Sequence, residues 1–259
     1  MFNKLLIALI CVFTVSFGQM TAREIMMKVD AQPEPKSMVA TTDMTLISVK
    51  RGKTKERLRR ITRHQRNYNQ GVFASKSLIR FQHPADVKGT GFLMWEYEKD
   101  KDDDQWLYLP ALGKVKRIVA REKGENFMGS DFSYEDIGGR DLDDDHFSLL
   151  GEERIGTNNC YKIEAVPVDG ETSYSKRISW IDKNKWMAIK IEFYDKKNQL
   201  QKVMTIDDLK KDGPYWTILK MRMENVQNQH KTIMIITDVK YDTGIKDNYF
   251  TERFLMRVD

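Results

Sequence analysis

Trp186-Met187-Ala188-Ile189-Lys190-Ile191-Glu192-Phe193-Tyr194 is the stretch on which the fold turns. Met187, Ile189, Ile191 and Phe193 alternate with Lys190 and Glu192, a period of two that sets an apolar side of a β-strand against a polar one. Asp182-Lys183-Asn184 before it and Asp195-Lys196-Lys197-Asn198 after it supply turn residues. The same alternation spreads outward. Tyr174, Ile178 and Trp180 oppose Ser173, Ser175, Arg177 and Ser179; Leu219, Met221 and Met223 oppose Lys220, Arg222 and Glu224; Ile233, Ile235 and Val239 oppose Asp238 and Lys240.

Strand patterns cover 38–50, 55–66, 77–82, 91–98, 105–109, 114–119, 147–154, 159–166, 173–182, 186–195, 199–207, 215–225 and 230–241, with turn chemistry such as Arg51-Gly52-Lys53 and Asp212-Gly213-Pro214 between them. The expected fold is mainly β: one curved antiparallel sheet, an incomplete barrel of about eleven strands. Helical patterns are few. Thr21 to Asp30 has an N-cap at Thr21, Glu24 three residues on, and apolar residues at 22, 25, 26 and 29 on one face. The others are a segment around Phe132 to Ile137 and the stretch Phe250 to Met256. So little helix leaves part of an apolar sheet face uncovered, which implies a hollow under a helical lid. A closed sandwich with interdigitating inner faces fits the same periodicity. Met44, Met94, Met187, Met204, Met221, Met223 and Met234 lie on strands, where β-branched residues are the usual choice. Flexible thioethers suit either a surface that adapts to varied apolar ligands or ordinary gap filling.

The chain has 259 residues, 41% of them apolar and 31% charged, enough for a sizeable core and a wettable exterior. Its two cysteines, Cys11 and Cys160, exclude a disulfide scaffold and a cysteine-rich metal module. Lys4 followed by the apolar run Leu5 to Phe17, with Ser16 and Gly18 before Gln19, has the form of a cleaved secretory signal. The domains are therefore expected to be 1–18, a signal peptide, and 19–259, the mature domain, in an extracytoplasmic compartment, where ATP is not supplied and nucleic acid is not the expected partner.

No catalytic signature stands out. His64, His83, His146 and His230 are scattered without metal-ligand spacing, and there is no G-x-S-x-G elbow. Gly52-Lys53-Thr54 has the tail of a phosphate loop but lacks its first glycine. Asp141-x-Asp143-x-Asp145 mimics a calcium loop with His146 where the turn demands glycine. Metals, cofactors and enzymatic activity are not expected. The run from Lys50 to Arg66 is strongly basic. Its alternation puts Arg57, Arg59 and Arg63 on one side of what reads as an edge strand, as contacts to lipid headgroups or to a partner, or as a solvated face.

Gly91-Phe92-Leu93-Met94-Trp95-Glu96-Tyr97, Gln105 to Ile118 with its Trp106-Leu107-Tyr108-Leu109-Pro110 core, and Phe127-Met128-Gly129-Ser130-Asp131-Phe132-Ser133-Tyr134-Glu135-Asp136-Ile137 together resemble the signature block of the outer-membrane lipoprotein-sorting, LolA-like proteins. The block is most similar to the branch found beside exporters of the resistance-nodulation-division type. The resemblance implies a periplasmic, non-catalytic carrier whose incomplete barrel shelters acyl chains of a lipoprotein or lipid and moves them between inner and outer membranes.

On this reading the cavity candidates are Tyr174, Ile178, Trp180, Met187, Ile189, Ile191, Phe193, Leu219, Met221, Met223, Ile233 and Ile235. Trp95, Trp106, Tyr108, Phe132 and Tyr134 are the candidates for its mouth. Expected partners are acyl chains, a transiently contacted membrane and an inner-membrane exporter complex, with the protein a monomer. An exporter adaptor without lipid cargo is the alternative function.

Overall fold

Thirteen strands pair into one antiparallel sheet in the computed structural model, which describes residues 20–98, 101–170 and 172–257. The expected signal segment, with Cys11, lies outside the described residues. The strands are β1 (Ser37–Lys50), β2 (Lys53–Asn67), β3 (Phe73–His83), β4 (Gly91–Tyr97), β5 (Asp104–Leu109), β6 (Lys114–Arg117), β7 (Asp145–Ile155), β8 (Asn158–Pro167), β9 (Tyr174–Asp182), β10 (Met187–Asp195), β11 (Leu200–Asp212), β12 (Tyr215–Asn225) and β13 (His230–Tyr241). The helices are α1 (Ala22–Asp30), α2 (Tyr134–Ile137) and α3 (Glu252–Leu255). The sheet is curved and unclosed, an incomplete barrel as expected, with thirteen strands where about eleven were expected.

Its order is β6-β5-β4-β3-β2-β1-β13-β12-β11-β10-β9-β8-β7. Two meanders are joined through the β1–β13 pair, so the edges are β6 and β7, which are consecutive in sequence. Residues 118–144 must run from one edge to the other. The basic strand β2 is paired on both sides only over residues 60–66, where β1 and β3 flank it and Arg63 lies; its 53–59 part, with Arg57 and Arg59, pairs with β1 alone among the described residues and keeps an open edge.

Residues directly opposite each other on neighbouring strands share a face. One face carries Ala40, Arg63 and Ile79, then Met44, Met234, Met221 and Ile206, and further round Ile191, Ser179 and Ile163. This inner face is covered twice. α1 starts with Thr21 Oγ1 accepting from Glu24 N at 3.2 Å while Glu24 accepts from Thr21 N at 2.7 Å, and its Ala22 and Ile25 pack on Ile163 and Ile181. The crossing segment 118–144 covers the rest, with Ile118, Phe127 and Tyr134 packed on Met44, Ile61, Phe81 and Phe92. Phe132 packs with Tyr174, Phe193 and Met223.

The other face has its own cover at one end. Leu78, Leu93, Trp106 and Tyr108 pack under Ile245, Phe250 and Leu255 of the C-terminal segment. That segment was expected to help roof the hollow. It instead lies behind the sheet, tied by Trp95 Nε1 donating to Phe250 O at 2.9 Å and by Arg80 donating to Leu255 O at 2.8 Å.

Candidate functional site

Strict alternation fails at bulges in several strand pairs, four of which bear on the expected site residues by moving side chains to the other face. Pairing of Tyr194 with Lys176 and Asp195 with Tyr174 leaves Ser175 over; Ala188 with Ile181 and Lys190 with Trp180 leaves Ile189 over. Asp208 with Lys220 and Leu209 with Ile218 leaves Leu219 over, and Thr41 with Asp238 and Thr42 with Ile236 leaves Thr237 over.

The expected cavity set therefore divides. Tyr174, Ile191, Phe193, Met221 and Met223 stand together on the inner face beside Phe132. Ile178, Trp180 and Ile189 form an outer cluster with the fully buried Cys160. The Lys162 and Lys190 ammoniums sit 4.8 and 4.1 Å from the Trp180 ring centre and help to cover an indole that is only 2% exposed. Met187 pairs with Asp182 on that same outer side, and Ile233 and Ile235 flank the inward Met234, Ile235 being 42% exposed. Leu219 sits at its bulge while Ile218 and Met221 reach the hollow. Of the expected mouth residues, Phe132 and Tyr134 belong to the crossing segment. Trp95, Trp106 and Tyr108 lie on the outer face under the C-terminal segment, where the T-shaped Trp95–Trp106 pair has centroids 4.8 Å apart.

The hollow itself has a volume of about 210 Å³. Its floor is Ala40 and Met44 of β1, Ile61 of β2, Met204 of β11, Met221 of β12 and Met234 of β13, and its roof is Phe127, Phe132 and Ile137. Among the strand methionines, Met44, Met204, Met221 and Met234 line it, and Met38 joins them. The sequence signal for this site was methionine on strands; Ala40, Ile61 and Ile236 carried none.

A polar clasp holds the roof. Asp131, 1% exposed, lies 2.7 Å from His230 Nδ1 and accepts from Thr232 Oγ1 at 2.7 Å. Asp136 accepts from Tyr174 Oη at 2.9 Å and from Lys202 Nζ at 3.1 Å, with both charged side chains 4% exposed. Burial and the neighbouring Asp136 push the Tyr174 phenol far up, so it remains a donor. Glu135 accepts from Ser173 N at 3.0 Å, Ser173 Oγ at 2.7 Å and Arg177 Nη2 at 2.5 Å, and also from Thr172. Burial pushes its carboxyl up, yet these donors outweigh burial and hold it below the usual range. Met128 takes a left-handed φ of 49° at the bend of the roof, and Arg59 Nη1 donates to its carbonyl.

The three inward arginines differ. Arg57 is exposed, Arg59 is buried against Met128, and Arg63 lines both the hollow and a second, polar chamber of about 570 Å³ beside it. Ile137 also borders both. Burial lowers the Arg63 guanidinium, against the pull of Glu96 and Glu34. No helix among the described residues is long and apolar enough to cross a membrane.

An unclosed antiparallel sheet with an apolar hollow under a crossing strap defines an incomplete-barrel protein with room inside for a small apolar group. A family model described as "Uncharacterized protein" matches residues 74–257. An outer membrane lipoprotein-sorting protein domain from Vibrio parahaemolyticus is 32% identical, with a TM-score of 0.84 over 91% of this chain and 98% of that one. A DUF1329 family protein from Desulfovibrio piger is 31% identical, with a TM-score of 0.83 over 90% and 97%. A LolA superfamily protein from Nitrosomonas europaea shares the fold at 19% identity, with a TM-score of 0.71 over 91% and 100%. No curated protein matches. The chain belongs to the outer membrane lipoprotein-sorting, LolA-like family.

Proposed function

We propose that the protein is a periplasmic carrier that takes an acyl chain of a lipid or lipoprotein into the hollow between the sheet and the 118–144 strap and hands it on between the inner and outer membranes. The observation that carries this reading is the methionine-lined space of about 210 Å³ closed by a roof that polar side chains clasp. A liquid water occupies about 30 Å³ and a methylene is of similar size, so the closed hollow admits on the order of seven methylenes. At about 0.8 kcal/mol each they contribute roughly 6 kcal/mol, a micromolar-to-millimolar hold before ordering costs. Such a hold suits a guest that must be surrendered. The expected leader at residues 1–18 supports the location, and the lipoprotein-sorting relatives support the ligand class.

Lipid extracted from protein purified out of its native envelope is expected to contain acyl species by mass spectrometry, and the purified protein is expected to bind a fluorescent fatty-acid probe. Met221→Asp places a carboxylate in the hollow and is expected to abolish probe binding in a folded protein. Unchanged binding by that variant refutes the site. An interior free of lipid, together with a stoichiometric exporter subunit on pull-down, favours an adaptor instead.

A further inference from the structure

The polar chamber beside the hollow has a charge pattern that the acyl reading leaves unexplained. Nine carboxylates and four bases line it. Two of the bases are engaged, Lys101 with Asp104 and Arg140 with Asp145, while Lys123 and Arg63 make no ion pair with a described residue. Glu34, Glu96, Asp103 and Asp141 have no ion pair with a described residue. Burial pushes Asp103 up to about 6, with Glu96 and Asp141 adding to the shift, and Glu34 and Asp141 are raised by burial and by neighbouring acids. Arg63 offsets Glu34 and Glu96 in part and Lys123 offsets Asp103 in part, yet the acids on this wall outnumber the bases.

A second observation is independent of the acids. Gln105, on the chamber wall and 2% exposed, donates through Nε2 to Tyr134 O at 3.3 Å, which settles the orientation of its amide. Its Oε1 is buried with no hydrogen-bond partner, an acceptor awaiting a donor. The donor is not a metal on this geometry, because no three His, Cys, Asp or Glu side chains converge as ligands among the described residues. Arg63, at the seam with the hollow, is the one wall base that makes no ion pair with a described residue and borders both spaces. Its Nε is likewise buried without a partner.

Moving out of the apolar hollow, the wall offers first a cation and then a group of acceptors. A phospholipid with an amine head presents chain, phosphate and ammonium in that order. Resting on the carrier reading, we propose that the chamber binds the headgroup of a zwitterionic, phosphoethanolamine-type lipid, with the phosphate at Arg63 and the ammonium among Glu34, Glu96, Asp103, Asp141 and the Gln105 carbonyl. An anionic glycerol headgroup meets the same arginine but leaves the carboxylates unneutralised and repelled.

The test titrates the purified full-length mature chain with three probes: short-chain phosphatidylethanolamine, phosphatidylglycerol with the same chains, and a fluorescent fatty acid. The ethanolamine lipid is expected to bind at least tenfold more tightly than the glycerol lipid. The double variant Asp103→Asn/Asp141→Asn is expected to lose that preference while keeping its fatty-acid affinity and a thermal midpoint no lower than that of the wild type. Arg63→Gln is expected to weaken both phospholipids alike. Fatty-acid binding without an ethanolamine preference, or a preference that survives in the double variant, overturns the headgroup assignment and leaves the carrier reading standing; the chamber then holds water only. Failure of all three probes to bind defeats the carrier reading itself.

Discussion

Ala40→Leu tests the hollow by filling it. Ala40 is 3% exposed near the start of β1 and looks into the space that Met44, Ile61 and Met234 also line. Leucine adds three carbons, about 90 Å³ at the packing volume used above, to a hollow of about 210 Å³. Room for about seven methylenes falls to about four, and three methylenes at roughly 0.8 kcal/mol make about 2.4 kcal/mol, close to a fiftyfold loss of affinity. Stability should hold or rise, because the new carbons occupy a void and not occupied core. The assay is titration with a medium-chain fluorescent fatty acid alongside a thermal melt. Val39→Leu, one residue away on the outer face against the C-terminal cluster, serves as the control that leaves binding unchanged. A folded Ala40→Leu protein with wild-type affinity would show that the acyl chain does not enter this space.

Lys202→Met strands the Asp136 carboxylate in a nearly dry site and should cost about 3–5 kcal/mol, lowering the thermal midpoint by on the order of 10 °C. Adding Asp136→Asn should restore much of the loss; no restoration would mean the pair is not what holds the roof. Asp103 keeps its proton in the fold up to about pH 6, whereas the unfolded chain loses it near 3.9. The folded state therefore binds the extra proton, stability falls as pH rises from about 4 to 6, and Asp103→Asn should flatten that slope in chemical denaturation at stepped pH. Trp95→Phe removes the donor to Phe250 O and should loosen the C-terminal segment by about 1 kcal/mol, read by hydrogen exchange. Fatty-acid affinity should not move, because Trp95 lies behind the sheet; a loss of affinity would return it to the cavity mouth.

The architecture was legible because it rests on features that survive local irregularity. Turn residues and alternation located every strand, and the Thr21–Glu24 capping pair located α1 before any packing was known. The face assignments were less legible, for a specific physical reason. A bulge inserts one residue into a ladder and inverts the parity of everything beyond it. Met187, Ile189, Ile191 and Phe193 read as one stripe, yet the extra residue at Ile189 sends its two ends to opposite faces. Ser175 does the same to Tyr174 and Trp180. No residue type marks these bulges, since Ser175, Ile189, Leu219 and Thr237 are ordinary strand residues. Methionine content was the more reliable guide to the hollow because it reports what packing a position tolerates, not which way a register happens to point.

The C-terminal roof was misjudged for a related reason: an amphipathic stretch announces that it covers something, and only topology says which face. Here topology is decisive. With β6 and β7 as consecutive edge strands, the connection between them has 27 residues, 118–144, and has to cross the opening of the sheet. Connections of that length with no more than single helical turns of their own, as here, are uncommon within a compact domain. This one covers the hollow and continues at each end into an edge strand, so on the carrier reading proposed above it would bow outward without leaving the protein. A sixteen-carbon chain has about nine methylenes more than the closed hollow admits, worth roughly 7 kcal/mol if they are sheltered. Lifting Phe127, Phe132 and Tyr134 off the sheet forfeits about 1.5–3 kcal/mol per aromatic side chain, about 5–9 kcal/mol in all. The two sums nearly cancel, so a long chain exchanges with the protein's own aromatics at little net cost in either direction. A deep permanent cavity would bind more tightly and release more slowly. On the carrier reading proposed above, a small, strap-covered hollow would load without trapping its guest, and release would be controlled at the Asp131–His230–Thr232 and Asp136–Lys202–Tyr174 contacts that hold the strap down.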